Sequence, residues 1–226
     1  MKLMEIVLKN LKPCYMSESE VTGSDIYLIP EFRFEKGKRY MVCARSGHGK
    51  TSLLNFIYGV SHRFDGSIEY RGFDSVGTLA SSAARPMPEH QLLLLRRRAL
   101  SLMFQDLCLF DELTAFENVQ LKNRLTGFKT DAEIRAMLDT LLPSAKKDQP
   151  VRTLSLGQRQ RVAAVRAMCQ PFAFLLLDEP FSHLDHQSAA QVAELIARET
   201  EKQEAALIVT ALDPTSLFHF DATINL

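Results

Sequence analysis

The chain has no long apolar run. Its strongest hydrophobic stretches, residues 92–95 and 172–177, fall far below the ~20 consecutive apolar residues a bilayer-spanning helix needs. The first nine residues carry Lys2, Glu5 and Lys9 through any would-be hydrophobic segment, so no secretory leader is expected and the chain reads as cytosolic. Net charge is also missing: 27 Lys and Arg balance 27 Asp and Glu, which argues against coating of nucleic acid, although a local basic patch stays open. Cysteine is scarce, at four residues (Cys14, Cys43, Cys108, Cys169), with no CxxC pair and no histidines at metal-ligand spacing. That pattern argues against a disulfide framework or a zinc site and points to reduced cysteines serving as small buried hydrophobes. Internal repeats and linker-like stretches are lacking too.

What remains is ordinary globular composition, 46% hydrophobic and 24% charged over 226 residues. A chain of this length buries roughly 70% of the surface its unfolded form exposes, enough to fold without staples. Residues 3–8 and 26–34 are β-rich and flank a polar segment at 17–24, which predicts an N-terminal antiparallel hairpin or small sheet. Residues 39–44 form a short apolar strand running into a Gly-rich turn, and 50–59 then take helical spacing with Leu53, Leu54, Ile57 and Tyr58 on one side. Residues 72–91 read as a loop leading to a short helix, and 100–104 as a strand. Helix formers dominate 114–167, with capping boxes at Thr130/Glu133 and Ser155/Gln158. Residues 172–177 are continuously apolar, the mark of a strand buried on both faces of a parallel sheet. A helix at 187–202 and strands at 206–210 and 222–226 complete an α/β alternation.

The segment Ala44-Arg45-Ser46-Gly47-His48-Gly49-Lys50-Thr51 resembles the phosphate-loop pattern GxxxxGK[ST]. Glycines let backbone N–H groups close around a β-phosphate, Lys50 neutralises the β/γ charge, Thr51 offers a hydroxyl to Mg²⁺, and Ser52 can reach an α-phosphate. The helix that follows adds its N-terminal N–H groups and dipole. Ala44 replaces the first glycine, which costs little if that position is the last extended residue of the strand. The 172–177 strand ends in Asp178-Glu179, at the carboxyl end where ligands bind in parallel sheets. In that place Asp178 can hold Mg²⁺ through water, and Glu179 can polarise the water that attacks a γ-phosphate.

Further motifs stand in one order along the chain: Gln105 in Met103-Phe104-Gln105-Asp106, then Leu154-Ser155-Leu156-Gly157-Gln158-Arg159-Gln160-Arg161, then Ser182-His183-Leu184-Asp185. With the phosphate loop and the acid pair, these resemble the ATP-binding cassette (ABC) ATPases across essentially the whole chain. The resemblance implies an α/β fold: a P-loop NTPase (RecA-like) core with an N-terminal antiparallel β subdomain and an inserted α-helical subdomain. One nucleotide-binding domain would span 1–226, with 1–105 and 169–226 as β subdomain and core and about 106–168 as the helical insertion. It also implies that Thr51, Gln105 and Asp178 bind Mg²⁺, with Gln105 sensing the γ-phosphate. Glu179, Lys50 and Gln105 would be catalytic. Ser46, Gly47, His48, Gly49, Lys50, Thr51 and Ser52 would cradle ATP. A second copy, head to tail, would present Ser155, Gly157 and Gln158 to the γ-phosphate, and Asp185 would cross the dimer to the opposite phosphate loop. Tyr15 stands where the family stacks an aromatic on adenine, with a core or rim role equally open.

Some departures qualify this. Ser155 with Gln158 also reads as a plain helix cap, and Leu156 stands in place of a glycine. Where the family carries a γ-phosphate histidine after the penultimate strand, this chain has Val209-Thr210-Ala211-Leu212-Asp213. Loss of one hydrogen bond to a charged group is worth ~1.5–3 kcal/mol, or ~10- to 150-fold in rate, so slow hydrolysis is expected. The segments 92–106 and 109–119 resemble the lipoprotein-release, macrolide-exporter and cell-division branch. Its partner would be a separate transmembrane permease of few helices with a large extracytoplasmic domain, and its place the inner face of the cell membrane. A nucleotide-gated regulatory subunit with weak or no hydrolysis is the alternative. Arg96–Arg98 read as a solvated run or a contact to the partner or lipid headgroups. Phe110 and Phe116 read as one core residue and one groove residue.

Overall fold

The computed structural model describes residues 4–73 and 78–226. The expected first strand residue Leu3 and positions 74–77 of the expected 72–91 loop lie outside them. The elements run β1 (Glu5–Pro13), α1 (Glu18–Val21), β2 (Phe32–Glu35), β3 (Arg39–Cys43), α2 (Lys50–Tyr58), β4 (Phe64–Arg71), β5 (Thr78–Ser82), α3 (Glu89–Arg98) and β6 (Leu100–Met103). There follow α4 (Ala115–Asn123), α5 (Asp131–Leu141), α6 (Leu156–Met168), β7 (Phe174–Asp178), α7 (His186–Lys202), β8 (Ala206–Ala211) and β9 (Ala222–Asn225).

Two sheets organise them: an antiparallel one ordered β2-β1-β4-β5, and a parallel one ordered β6-β7-β8-β3-β9. The parallel sheet is buried on both faces, and the strand period of two divides its side chains. Phe174 and Leu176 of β7, with Ala206 and Ile208 of β8, join the cluster that includes Ile6, Leu53, Ile57 and Tyr70. Leu175 and Leu177, with Leu207 and Val209, face the cluster built from α4, α5, α6 and α7.

The antiparallel element forms as expected, but its composition differs. Residues 26–31 are not a strand, and α1 occupies the polar segment. β4 and β5 were not expected. In β4 the buried Ile68 and Tyr70 alternate with less buried neighbours, a short period-two signal. β5 is Thr-Leu-Ala-Ser-Ser, an edge strand that exists because β4 offers it a ladder. Two cysteines correct the buried-hydrophobe reading: Cys43 and Cys169 are buried, whereas Cys14 and Cys108 are exposed.

Arg96 is no solvated charge. Its guanidinium donates to the carbonyls of Tyr58 and Gly59, both at 3.0 Å, tying up the end of α2, and lies over the Tyr58 ring. Arg97 donates to the Leu125 carbonyl at 2.6 Å. Phe116 packs on the second cluster under the Arg135 guanidinium, while Phe110 is exposed.

The capping boxes at Thr130/Glu133 and Ser155/Gln158 form as expected. The helices between β6 and β7 are pinned to the core by a buried ion pair. Lys129, just before α5, reaches Glu199 of α7 at 2.6 Å, with side chains 8% and 2% exposed, and Lys202 reaches the same carboxylate at 2.9 Å. Burial opposes the Glu199 charge, but hydrogen bonds from Lys129 and Lys202 outweigh it and hold the group below its ordinary value of 4.5. A depressed carboxylate stabilises the fold above that value and loses the contribution as pH falls below it, through the lowered folded-state value. Lys129→Met is therefore expected to lower unfolding free energy by roughly 3 kcal/mol and to flatten the acid-side fall in stability. Urea melts of both proteins between pH 7 and pH 4 check this; an unchanged midpoint refutes it.

Candidate functional site

In an all-parallel sheet every strand ends at the same edge, so the chain segments leaving β3, β6, β7 and β8 meet there. Cys43 is in register with Ala211, Asp178 with Thr210, and Met103 with Leu177. The phosphate-loop segment leaves β3 at Ala44, whose N–H donates to the Ala211 carbonyl at 3.4 Å and which is not among the residues with positive φ. Alanine is thus accommodated as an extended continuation of the strand.

The turn needs glycine further on. Gly47 has φ +84° and Gly49 φ +87°, and a Cβ on Gly49 would lie 2.8 Å from the Tyr27 hydroxyl. That hydroxyl donates to the Gly49 carbonyl at 3.0 Å, so the buried Tyr27 braces the loop from beneath. Lys50 opens α2 with a side chain 5% exposed. Its ammonium donates to the carbonyls of Ala44 (2.7 Å) and Arg45 (3.2 Å) and lies 3.3 Å from Glu179 Oε1. The exposed His48 turns its Nδ1 to the Ser46 carbonyl at 3.1 Å.

Thr51 Oγ1 donates to Gln105 Oε1 at 3.1 Å, which joins the start of α2 to the segment leaving β6. Asp178 is buried, and its carboxylate accepts from Thr210 Oγ1 at 2.7 Å. Burial pushes Asp178 above the usual carboxylate range, against hydrogen bonds from Thr210 and Thr51 that pull it down. A buried carboxylate, a hydroxyl and an amide oxygen form a hard-oxygen set suited to Mg²⁺. They line one side of an open 510 Å³ cleft whose other walls include Val60, Phe104 and Cys108.

Glu179 adopts φ +46°, a strained conformation for this residue. Its N–H donates to Thr210 Oγ1 at 3.0 Å, and its carbonyl accepts from Gln160 Nε2 (3.0 Å) and Ser182 Oγ (3.1 Å). Beside it a 200 Å³ cavity is lined in part by Ser182, Thr210 and Ala211, where the expected histidine is absent.

Tyr15 is exposed, bonded to Ser52 Oγ, with the Arg63 guanidinium 5.7 Å from its ring. Tyr40 is a core residue, edge-on to Phe34. At the start of α6, Ser155 Oγ accepts from the Gln158 N–H (3.3 Å), and Gln158 Oε1 accepts from the Ser155 N–H (3.0 Å). Gly157 permits a close approach, since a Cβ there would sit 2.8 Å from the His183 carbonyl, and Leu156 is exposed. Asp185 caps α7, accepting from the Ser188 N–H and hydroxyl, both at 2.9 Å. Within one chain, then, Lys50, Thr51, Gln105, Asp178 and Glu179 come together. The bonds of Ser155, Gln158 and Asp185 close within their own helix caps. Tyr27, Gln160 and Thr210 were not singled out from the sequence. Thr210 left a signal, a hydroxyl ending an apolar strand that must find a buried partner.

A profile of the family described as ABC transporter matches residues 29–182. The lipoprotein-releasing system ATP-binding protein LolD of Treponema pallidum is 32% identical over 81% of this chain and 78% of its own length. The uncharacterized ABC transporter ATP-binding protein YvcR of Bacillus subtilis is 30% identical over 92% of this chain and 78% of its own. Among solved structures, the dimeric bacterial ABC transporter cassette MJ0796 superposes with a TM-score of 0.72 at 24% identity, covering 92% of this chain and 88% of that one, a likeness of fold.

Thr210 holds both acids, one through its proton and one through its oxygen. Thr210→Val is expected to slow ATP turnover about tenfold, while Thr210→Ser stays within about twofold. Steady-state hydrolysis of both variants decides it, and equal rates for valine and serine would refute the assignment.

Proposed function

The chain belongs to the ABC transporter family, and from that membership we propose that it binds and hydrolyses ATP with Mg²⁺ as a head-to-tail dimer and drives a separate membrane permease. The observation that carries the reading is the convergence of Lys50, Thr51, Gln105, Asp178 and Glu179 on one sheet edge, with the ammonium 3.3 Å from the carboxylate. On this reading residues 1–226 act as one nucleotide-binding domain, with about 106–168 as the helical insertion.

With ATP in place, Lys50 exchanges Glu179 for the β- and γ-phosphates, and the N–H groups of 46–52 wrap the β-phosphate. Thr51, Gln105 and Asp178 would hold Mg²⁺, which when bound neutralises phosphate charge. Glu179, released from Lys50, orients the attacking water and takes its proton as the water oxygen bonds to the γ-phosphorus and the bond to ADP breaks. Ser155, Gly157 and Gln158 of the second copy meet the γ-phosphate, Asp185 supports the facing phosphate loop, and Tyr15 offers its ring to adenine.

The permease is expected to seat a cytoplasmic segment in the 260 Å³ groove partly lined by Phe110, Leu121, Leu125, Lys122 and Arg166. The apolar rim is exposed there, and burial with the nearby Arg166 and Arg96 pulls Lys122 down to about 8, so a carboxylate brought by the permease would favour its charged form. Such a seat would put the chain on the inner face of the membrane. We further propose that this permease has few membrane helices and a large extracytoplasmic domain, the type that the resemblance of segments 92–106 and 109–119 implies.

Glu179→Gln is expected to abolish turnover and trap an ATP-bound dimer on size exclusion. A binding-only subunit would show little turnover to lose and no change in dimerisation, and that outcome would overturn hydrolysis as the function. Ala211→His is expected to raise turnover ~10-fold or more, because the cavity beside Ala211 has room for an imidazole and the added bond meets a charged group. An unchanged rate would mean that Ala211 does not limit hydrolysis.

A further inference from the structure

Leaving β6, the chain passes through Gln105 and then makes an uncommon turn. Leu107 has φ +62° and Cys108 φ +48°, two consecutive non-glycine residues in the left-handed region that L side chains rarely adopt. The Leu107 N–H bonds the Phe104 carbonyl at 3.0 Å and the Cys108 N–H bonds that of Asp106 at 2.7 Å, so the turn closes tightly on Gln105. Such a turn persists only where its surroundings over-determine it.

The restraint comes from a distant part of the chain. Arg166 of α6 donates Nη1 to the Cys108 carbonyl at 2.6 Å and Nη2 to the Leu107 carbonyl. One planar fork thus holds both strained peptides, a geometry that the compact ammonium of lysine cannot reproduce. Burial holds the Arg166 pKa below its usual value, partly offset by Cys108, Asp106 and Tyr58, so the guanidinium is largely desolvated and spends its donors on these carbonyls. At the other end of the same turn, Gln105 Oε1 receives the Thr51 hydroxyl.

We propose that Arg166 is a positioning residue for Gln105, clamping the carbonyls of Leu107 and Cys108 so that the strained turn keeps the Gln105 amide at the start of α2. The inference rests on Gln105 serving the Mg²⁺–ATP site. It joins α6, the helix opened by Ser155, to that amide, and places the clamp in the groove offered to the permease.

Arg166→Met in the full chain is the test, with Arg166→Lys as a milder second variant. Without nucleotide or metal, Arg166→Met is expected to speed hydrogen exchange at the Leu107 and Cys108 amides at least tenfold. In turnover it should lower kcat about tenfold and raise the Mg²⁺ requirement, with binding of a fluorescent ATP analogue within about twofold. Arg166→Lys should lie between. Because glycine takes positive φ without strain, Cys108→Gly in either background should restore most of kcat. The double variant Gln105→Ala/Arg166→Met should be no slower than Gln105→Ala alone.

Unchanged exchange in Arg166→Met, an unchanged Mg²⁺ requirement, failure of Cys108→Gly to recover kcat, or additive losses in the double variant each overturns the clamp. If Arg166→Met does not fold, Arg166→Lys is read by the same criteria. Gln105→Ala separates this from the underlying reading. If that variant leaves the Mg²⁺ requirement unchanged, Gln105 is not a metal-site residue. If it shifts the requirement while Arg166→Met does not, the clamp alone fails.

Discussion

A buried ammonium needs oxygens around it, and Lys50 finds three, on Ala44, Arg45 and Glu179. Left alone in so enclosed a place the charge would be expensive, so the loop after β3 and the end of β7 have to arrive together. Sheet topology supplies that meeting. With β7, β8 and β3 side by side and parallel, Cys43, Asp178, Thr210 and Ala211 are brought to one edge by register alone. In β6, β7 and β8 the only polar side chains are Ser101, Asp178 and Thr210, and the Ser101 hydroxyl is already bonded to the Ala167 carbonyl.

Around this edge the backbone is strained in two places, at Glu179 and at Leu107–Cys108. Both are held by side chains of α6, Gln160 on the Glu179 carbonyl and Arg166 on the other pair. The helix that opens with the Ser155 cap therefore touches both loops that flank the phosphate-binding turn. Movement of α6 would be felt at both, which gives a physical route between the helical region and the nucleotide edge.

Much of the core was legible because its elements have strong local signals. The run at 172–177 carried the signature of a doubly buried strand, and β7 starts two residues later than expected. The box Ser155/Gln158 formed as written, since caps depend on residues three apart. β4 and β5 were not legible: one carries a brief alternation, and the other is small and polar and becomes a strand by pairing. Cys14 and Cys108 lie exposed in loops whose course nothing local dictates.

The chemical parts list was written in the primary structure: a glycine turn ending in Lys50-Thr51, an apolar strand ending in Asp178-Glu179, and alanine where a histidine was expected. These are properties of neighbours in the chain, and spacing alone reveals them. Which groups brace those parts was decided in three dimensions. Tyr27 beneath Gly49, Thr210 between the two acids and Arg166 on the strained turn act across 22, 32 and 59 residues of chain. Contacts at that separation follow from sheet order and helix packing, which no local pattern encodes.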